Sequence, residues 1–216
     1  MTYNPTMSPR PPIAALLRTG SGPQVTDGSR WVEDACATDR RVLARATGPV
    51  LDVGCGPGRH AAELTRRGIA SLGIDITPAA IAVARARGAR VLERSVFDDL
   101  PGVGTWSTVL LLDGNIGIGG EPRRLLRRVH ELLRPGGSAI IEVTRPGGCL
   151  AARYVSFEVG GSEGPGFWFA GVCTDCLGGV AGGTGFRVEE RWTDGERCFV
   201  HLRRVRRRGA GGPACN

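Results

Sequence analysis

The sequence predicts an α/β fold: a mostly parallel sheet covered by helices on both faces and ending in an antiparallel pair. Three observations predict it. Short, uninterrupted apolar runs such as Val50–Val53 and Thr108–Leu112 fit strands buried on both faces. These runs alternate with amphipathic helical stretches, the pattern of a parallel sheet with crossover helices. Near the C-terminus, Phe186–Thr193 and Glu196–Arg203 read as strands joined by Asp194-Gly195, a strong two-residue hairpin signal.

The elements follow in order. Residues 1–12 hold four of the 14 prolines and little that packs, so they are expected to be disordered. Residues 13–47 are expected to form a helical lead-in or cap. Within them 13–28 are ambiguous, and Val32, Ala35, Cys36, Val42, Leu43 and Ala46 recur at roughly helical spacing. Asp39 interrupts that stripe, leaving one helix or two short ones. The main domain is placed at 48–204. Its first strand, Val50–Val53, runs through the turn Gly54–Gly58 into a helix at 59–67. A second strand at 70–74 precedes Thr77-Pro78, a helix start with Pro at the first position. The helix at 79–87 stops at Gly88. A third strand at 90–93 and a fourth at 108–112 follow. The helix at 122–133 carries Leu125, Leu126, Val129, Leu132 and Leu133, and is broken by Pro135-Gly136-Gly137 before a fifth strand at 138–143. Residues 146–185 are expected to be an insertion capping a substrate pocket, and 205–216 a basic, Gly-rich tail.

Composition excludes several chemistries. The chain has 216 residues, and its 28 basic side chains are all Arg. Without Lys there is no Walker A loop, no protein-kinase site, no Schiff-base Lys and no Tyr-x-x-x-Lys pair. Of the net charge of +7, five charges sit in Arg203, Arg204, Arg206, Arg207 and Arg208. Residues 1–202 carry 23 Arg against 21 acids, a net of +2, too little to expect a nucleic-acid partner. The seven scattered Cys and the lack of a signal peptide lead us to expect a reduced, cytoplasmic protein. No apolar run approaches the ~20 residues of a membrane span. Cys173-Thr174-Asp175-Cys176 has no second Cys pair, so it is read as two thiols at a helix start, with no metal site. Monomer and homodimer stay equally open.

The chemistry centres on Asp52-Val53-Gly54-Cys55-Gly56-Pro57-Gly58, a glycine turn between strand and helix that lets a ligand approach the backbone. The third Gly falls one residue too early for the dinucleotide pattern, where Arg59 stands instead. Asp75 ends the second strand, 21 residues after Gly54, where a carboxylate can accept from both ribose hydroxyls of an adenosine ligand. It can also be read as part of a helix start. Ser95-Val96-Phe97-Asp98 follows the third strand, Asp113-Gly114-Asn115 the fourth, and Arg134-Pro135-Gly136-Gly137 precedes the fifth.

Taken together, these five features resemble the class I S-adenosylmethionine-dependent methyltransferases over roughly residues 48–145 and the terminal hairpin. The resemblance implies a Rossmann-like sheet of seven strands in the order 3-2-1-4-5-7-6 and S-adenosyl-L-methionine as cofactor. It places Gly54, Gly56 and Gly58 under the methionyl and ribose parts, Asp52 at the methionine ammonium, Asp75 on the ribose and Ile76 on adenine. Val96 and Phe97 are implied adenine contacts. The acid that many members use for the adenine amine is replaced by Ser95, leaving either Asp98 or that hydroxyl for the contact. The Asn/Asp-Pro-Pro-aromatic motif of many amino-group methyltransferases is absent at Asp113-Gly114-Asn115-Ile116. Asp113 is placed with the cofactor residues or read as a turn former. His60 and Asn115 are the candidate catalytic residues. The expected acceptor is a small molecule with an O, N or C nucleophile. Five of the 12 aromatics, Tyr154, Phe157, Phe167, Trp168 and Phe169, lie within 16 residues and suit either a pocket cap or a core. The rival readings are an NAD(P)-binding oxidoreductase and a non-catalytic S-adenosylmethionine-binding protein.

Overall fold

The computed structural model describes residues 16–19, 22–25, 29–159 and 162–205. The expected disordered start at 1–12 and the tail from 206 lie outside the described residues. The order of elements is β1 (Leu16–Thr19), β2 (Gly22–Val25), α1 (Ser29–Val32), α2 (Ala37–Leu43), β3 (Val50–Val53), α3 (Arg59–Arg66), β4 (Ser71–Asp75), α4 (Pro78–Ala86) and β5 (Val91–Glu93). Then come β6 (Trp106–Leu111), a 3-10 turn (Asn115–Gly117), α5 (Pro122–Leu132), β7 (Leu133–Val143), β8 (Leu150–Val159), β9 (Ser162–Glu163), β10 (Phe167–Gly171), α6 (Leu177–Ala181), β11 (Phe186–Asp194) and β12 (Arg197–Arg204).

The main sheet has seven strands in the order β5-β4-β3-β6-β7-β12-β11. Counted within this sheet, that is 3-2-1-4-5-7-6, the predicted order. The first five strands pair in parallel, and β12 runs antiparallel to both β7 and β11. Alternation along each strand sorts the core onto two faces. Leu51, Val53, Val109, Leu111, Ile141, Val200 and Leu202 pack with Leu125, Leu126, Val129 and Leu132 of α5. Val50, Leu110, Leu112, Ile140 and Phe199 meet Val42 and Leu43 of α2 and Leu64 of α3 on the other face.

A second sheet, wholly antiparallel, has the order β10-β8-β1-β2, with β9 on β8. Within the stretch 13–28 that the sequence leaves ambiguous, Leu16–Thr19 and Gly22–Val25 pair as antiparallel strands. The reason is tertiary: Leu16–Thr19 pairs with Val155–Glu158, an edge far along the chain that no local periodicity reveals. Farther on, α1 and α2 are two short helices, one of the two forms left open. The fifth strand also begins earlier than expected, at Leu133, with its ladder to β6 shifted before Thr108↔Ser138.

Two further histidines pack at the terminal hairpin. His130 is buried on α5, with Nε2 3.0 Å from the Val205 carbonyl and its ring edge-on to Phe186. His201 on β12 is partly exposed, with Nδ1 3.6 Å from Glu189.

Phe199 is 1% exposed and stacks on Trp192 at 5.3 Å. Phe199→Ala removes the largest fully buried side chain of the α2/α3 face. We expect a loss of about 3–5 kcal/mol, read from urea unfolding. A loss below about 1 kcal/mol would show that this face collapses around the void.

Candidate active site

The glycine turn leaves β3 with two N–H groups, Gly54 and Cys55, donating to the Ile74 carbonyl at 2.9 and 3.0 Å. Asn115 clamps it from the far side, its Nδ2 donating to the Val53 and Gly54 carbonyls, both at 2.9 Å. A Cβ at Gly54 would lie 2.7 Å from that Nδ2, so only glycine admits the clamp. Gly56 has φ +51°, and a Cβ there would meet nothing within 4 Å. It borders open space. Gly58 serves packing instead: a Cβ would lie 2.6 Å from Ala84 Cβ, so its absence lets α3 approach α4.

Asp75, at the end of β4, accepts the Gly56 N–H at 2.9 Å and the Thr77 N–H at 2.8 Å. The Thr77 hydroxyl makes no capping bond of its own. Burial pushes the Asp75 pKa up against the pull of those N–H groups. The turn, Asp75, Ile76 and Thr77 line a cleft whose other wall is Ser95, Val96 and Phe97. The Ser95 hydroxyl accepts the Phe97 N–H at 3.2 Å, while Asp98 accepts the Ser95 N–H at 2.9 Å. Asp98 thus closes its own turn, and of the two alternatives for the adenine amine it is Ser95 that lines the cleft.

Beside the turn lies a buried charge network. Asp39, 2% exposed, caps α2 by accepting the Cys36 N–H at 3.0 Å. It also accepts from Arg59 Nε at 3.2 Å and Arg197 Nη1 at 2.6 Å, and contacts His60 Nε2 at 3.3 Å. Burial alone would raise its pKa, but His60, Arg197 and Arg59 outweigh it and hold the carboxyl far below the usual range. Arg59 continues to Asp113 at 2.7 Å. Arg197 grips Glu142 with two bonds of 2.8 and 2.7 Å, and Glu142 accepts the Asp113 N–H at 2.8 Å. Burial opposes ionisation of Asp113 too, yet Arg59, His60 and Arg197 lower its pKa.

Asp52 stands outside this network. It is 1% exposed, and its Oδ2 has no hydrogen-bond partner. Burial pushes its pKa up to about 6. The groups whose charges act on it include His60, Asp113, Arg59 and Asp75, all of which line the cleft.

The aromatic segment splits by strand alternation. Phe167 and Phe169 line the cleft, with Trp31 from α1. Tyr154 and Trp168 are exposed and meet edge-on at 5.7 Å. The Phe157 side chain lies outside the described residues.

Of the sequence-predicted residues, Gly54, Gly56, Asp75, Ile76, Val96, Phe97, Asp113, Asn115 and His60 come together around the cleft; Asp52, Gly58 and Asp98 are not in its lining. Sequence reasoning missed Asp39, Arg59, Glu142 and Arg197. One signal existed: Asp39 sits inside an apolar helical stripe, where an acid is buried only with partners.

The order of the main sheet matches the Rossmann-like methyltransferase fold, with the cleft at the C-terminal ends of the parallel strands. Residues 50–137 match the methyltransferase domain family. The chain is 32% identical over 120 residues to the ubiquinone biosynthesis O-methyltransferase of Pseudomonas paraeruginosa, covering 51% of this chain and 47% of that one. It thus spans about half the length of that curated relative. A methyltransferase from Bacteroides fragilis, solved with S-adenosyl-L-homocysteine, shares the fold with a TM-score of 0.74 at 23% identity, covering 89% of this chain and 88% of that one. The 1,6-didemethyltoxoflavin-N1-methyltransferase of Burkholderia thailandensis aligns with a TM-score of 0.59 at 19% identity, covering 82% and 81%.

Asp52 makes stability depend on pH. Its folded pKa of about 6 exceeds the ordinary 3.8, so the folded state holds the proton more tightly. The stability this gives is present below about pH 4 and is lost as pH rises towards 6, to the extent of about 3 kcal/mol. Asp52→Asn removes that loss. The variant is expected to be more stable than the parent at pH 8, by up to about 3 kcal/mol, and nearly equal to it at pH 4. A difference independent of pH in urea unfolding would show that Asp52 does not titrate with folding.

Proposed function

We propose that this chain transfers the methyl group of S-adenosylmethionine to a small-molecule O, N or C nucleophile. The observation that carries the reading is a glycine turn flanked by two carboxylates, Asp52 and Asp75, on the adjacent parallel strands β3 and β4. The residues fit that cofactor. Asp52 Oδ2, buried without a partner, suits an ammonium held through water, since Asp52 does not itself line the cleft, and Asp75 lines it at the end of β4. Gly56 leaves open space where a ligand would lie against the backbone. When bound, S-adenosylmethionine supplies a methyl group on a sulfonium, a leaving group that needs no acid. The protein's part is then to hold donor and acceptor in line, an effect that reaches about 7–11 kcal/mol in well-oriented systems.

For acceptors that lose a proton, His60 is the base this reading assigns. Asp39 holds Nε2 at 3.3 Å and orients the ring, leaving Nδ1 for the cleft that His60 lines. Asn115 acts through the glycine turn as a positioning residue, because its amide is committed to two carbonyls. Phe167, Phe169 and Trp31 favour a planar, apolar acceptor, and residues 146–185 act as its cap. Among the described residues no helix is long and apolar enough to cross a membrane.

Isothermal titration is expected to show binding of S-adenosylmethionine and S-adenosylhomocysteine, but not of NAD; tighter binding of NAD would sink the assignment. Asp75→Ala should raise the dissociation constant roughly 10–150-fold by removing hydrogen bonds to a charged group. Gly56→Val should abolish binding in a protein whose circular dichroism is unchanged. His60→Asn should lower kcat about 100-fold or more for an acceptor that loses a proton, while cofactor affinity stays put. An unchanged kcat would remove His60 as the base.

A further inference from the structure

The Cys-x-x-Cys pair at 173–176 is joined in space by Cys149, a residue the sequence pattern does not connect to it. The three sulfurs lie within 4.8 Å of one another. Cys173 Sγ is 2.7 Å from Cys149 Sγ and 3.3 Å from Cys176 Sγ. The chain folds to gather them. Cys149 immediately precedes β8, and Cys173 follows β10, whose Gly171 pairs with Leu150. Cys173 also bridges in parallel to Thr144, just past the end of β7. The Cys173 N–H points at Cys149 Sγ at 3.3 Å, a donor that favours the thiolate form.

Cys149 and Cys176 are paired as a disulfide, with Cys173 a buried free thiol beside it. The backbone suits a different bridge. Their Cα atoms are 7.2 Å apart, beyond the span of about 4.4–6.8 Å that a disulfide normally closes. An ion between two thiolates spans more. Sulfurs about 2.3 Å from a tetrahedral Zn(II) stand about 3.8 Å apart, wider than the 2.7 and 3.3 Å that separate Cys173 from the other two sulfurs, so the reduced thiols spread to admit the ion.

We propose that in the reduced chain Cys149, Cys173 and Cys176 form a three-thiolate site for Zn(II). Three sulfur ligands from the protein select a thiophilic ion over Mg(II) or Ca(II), and the fourth position is left to water or a small ligand. Binding forms three Zn–S bonds and releases the three thiol protons to solvent. The ion ties the start of β8 to the loop after β10, fastening the base of the second sheet to the end of β7. No part of this rests on the methyl-transfer reading.

The test uses the full chain purified under a phosphine reductant, with added Zn(II), then freed of excess ion. Elemental analysis is expected to give about one zinc per chain. Substitution by Co(II) should give the intense near-ultraviolet thiolate-to-metal absorption and the visible bands of a tetrahedral site. Cys149→Ser should lose both signals, whereas Cys36→Ser, remote from the cluster, keeps them. Thermal unfolding of the zinc-loaded parent, but not of Cys149→Ser, should fall when a strong chelator is added. Zinc that survives in Cys149→Ser overturns the proposal, as does reduced parent protein that takes up no zinc. Intact-mass thiol counting on the same samples covers the remaining case: a Cys149–Cys176 disulfide persisting under reductant, with no zinc, overturns it too.

Discussion

The arrangement around the cleft depends on one buried carboxylate. Asp39 gathers its own helix cap, Arg59 from α3, Arg197 from β12 and the His60 ring. Through Arg59 and Arg197 the same network reaches Asp113 and Glu142, at the ends of β6 and β7. A fully exposed ion pair contributes little, but truncating one partner of a buried one strands its mate at a cost of about 3–5 kcal/mol. The network therefore acts less as added stability than as a constraint on geometry: α2, α3 and the terminal hairpin have one mutual arrangement that leaves no charge unpaired. Arg59 also accounts for the short glycine pattern. At the position where a dinucleotide turn carries its third Gly, this chain needs a long cation to cross from α3 to both Asp39 and Asp113.

Asp52 is informative because the network omits it. Its neighbours satisfy Asp39 and Asp113 strongly enough to keep both ionised, yet Asp52 Oδ2 is left bare and its pKa climbs to about 6. A buried polar atom without a partner costs about 1–3 kcal/mol, and stored destabilisation of this kind is found where a ligand completes the site. On the proposed reading, the fold keeps a negative charge uncompensated on β3 so that a bound ammonium can compensate it. Asp75, one strand over, has the opposite design: its backbone bonds fix the carboxylate before any ligand arrives.

The main sheet was legible because its strands are buried on both faces and read as plain apolar runs, and because Asp194-Gly195 announces the hairpin. Helix ends were legible from Gly88 and Pro78. The second sheet was not. Its strands β1, β8 and β10 acquire their state from pairing with one another across long separations, and the alternation Val155-Ser156-Phe157-Glu158-Val159 in β8 does not say which edges it joins. The glycine turn and Asp75 could be read from spacing, whereas the separate jobs of the glycines could not: Gly54 admits Asn115, and Gly58 admits Ala84. The turn bond of Asp98 was not legible, because a carboxylate after a strand serves equally well as a ligand or as the acceptor of its own turn. Buried Arg residues were invisible in a chain whose 28 cations are all Arg, since composition hides which few of them are structural.

The cleft has two sides with different origins in the chain. Gly54, Gly56, Asp75 and Ser95–Phe97 all fall within residues 50–137, the stretch that matches the methyltransferase domain family. Trp31, Phe167 and Phe169 fall outside it, on α1 and on a strand of the second sheet. The side that takes the proposed methyl donor is therefore built from shared sequence. On the proposed reading, the side that faces an acceptor is built from segments outside that stretch, among them β10, which is held by its pairing with β8. On that reading, acceptor choice can change by altering strands of the second sheet, without disturbing the turn, the two carboxylates or the parallel ladder. Alternation on β10 sharpens the point. Phe167 and Phe169 turn to the cleft while Trp168 turns away to Tyr154, so a substitution at 167 or 169 alters the pocket and one at 168 alters the outer face.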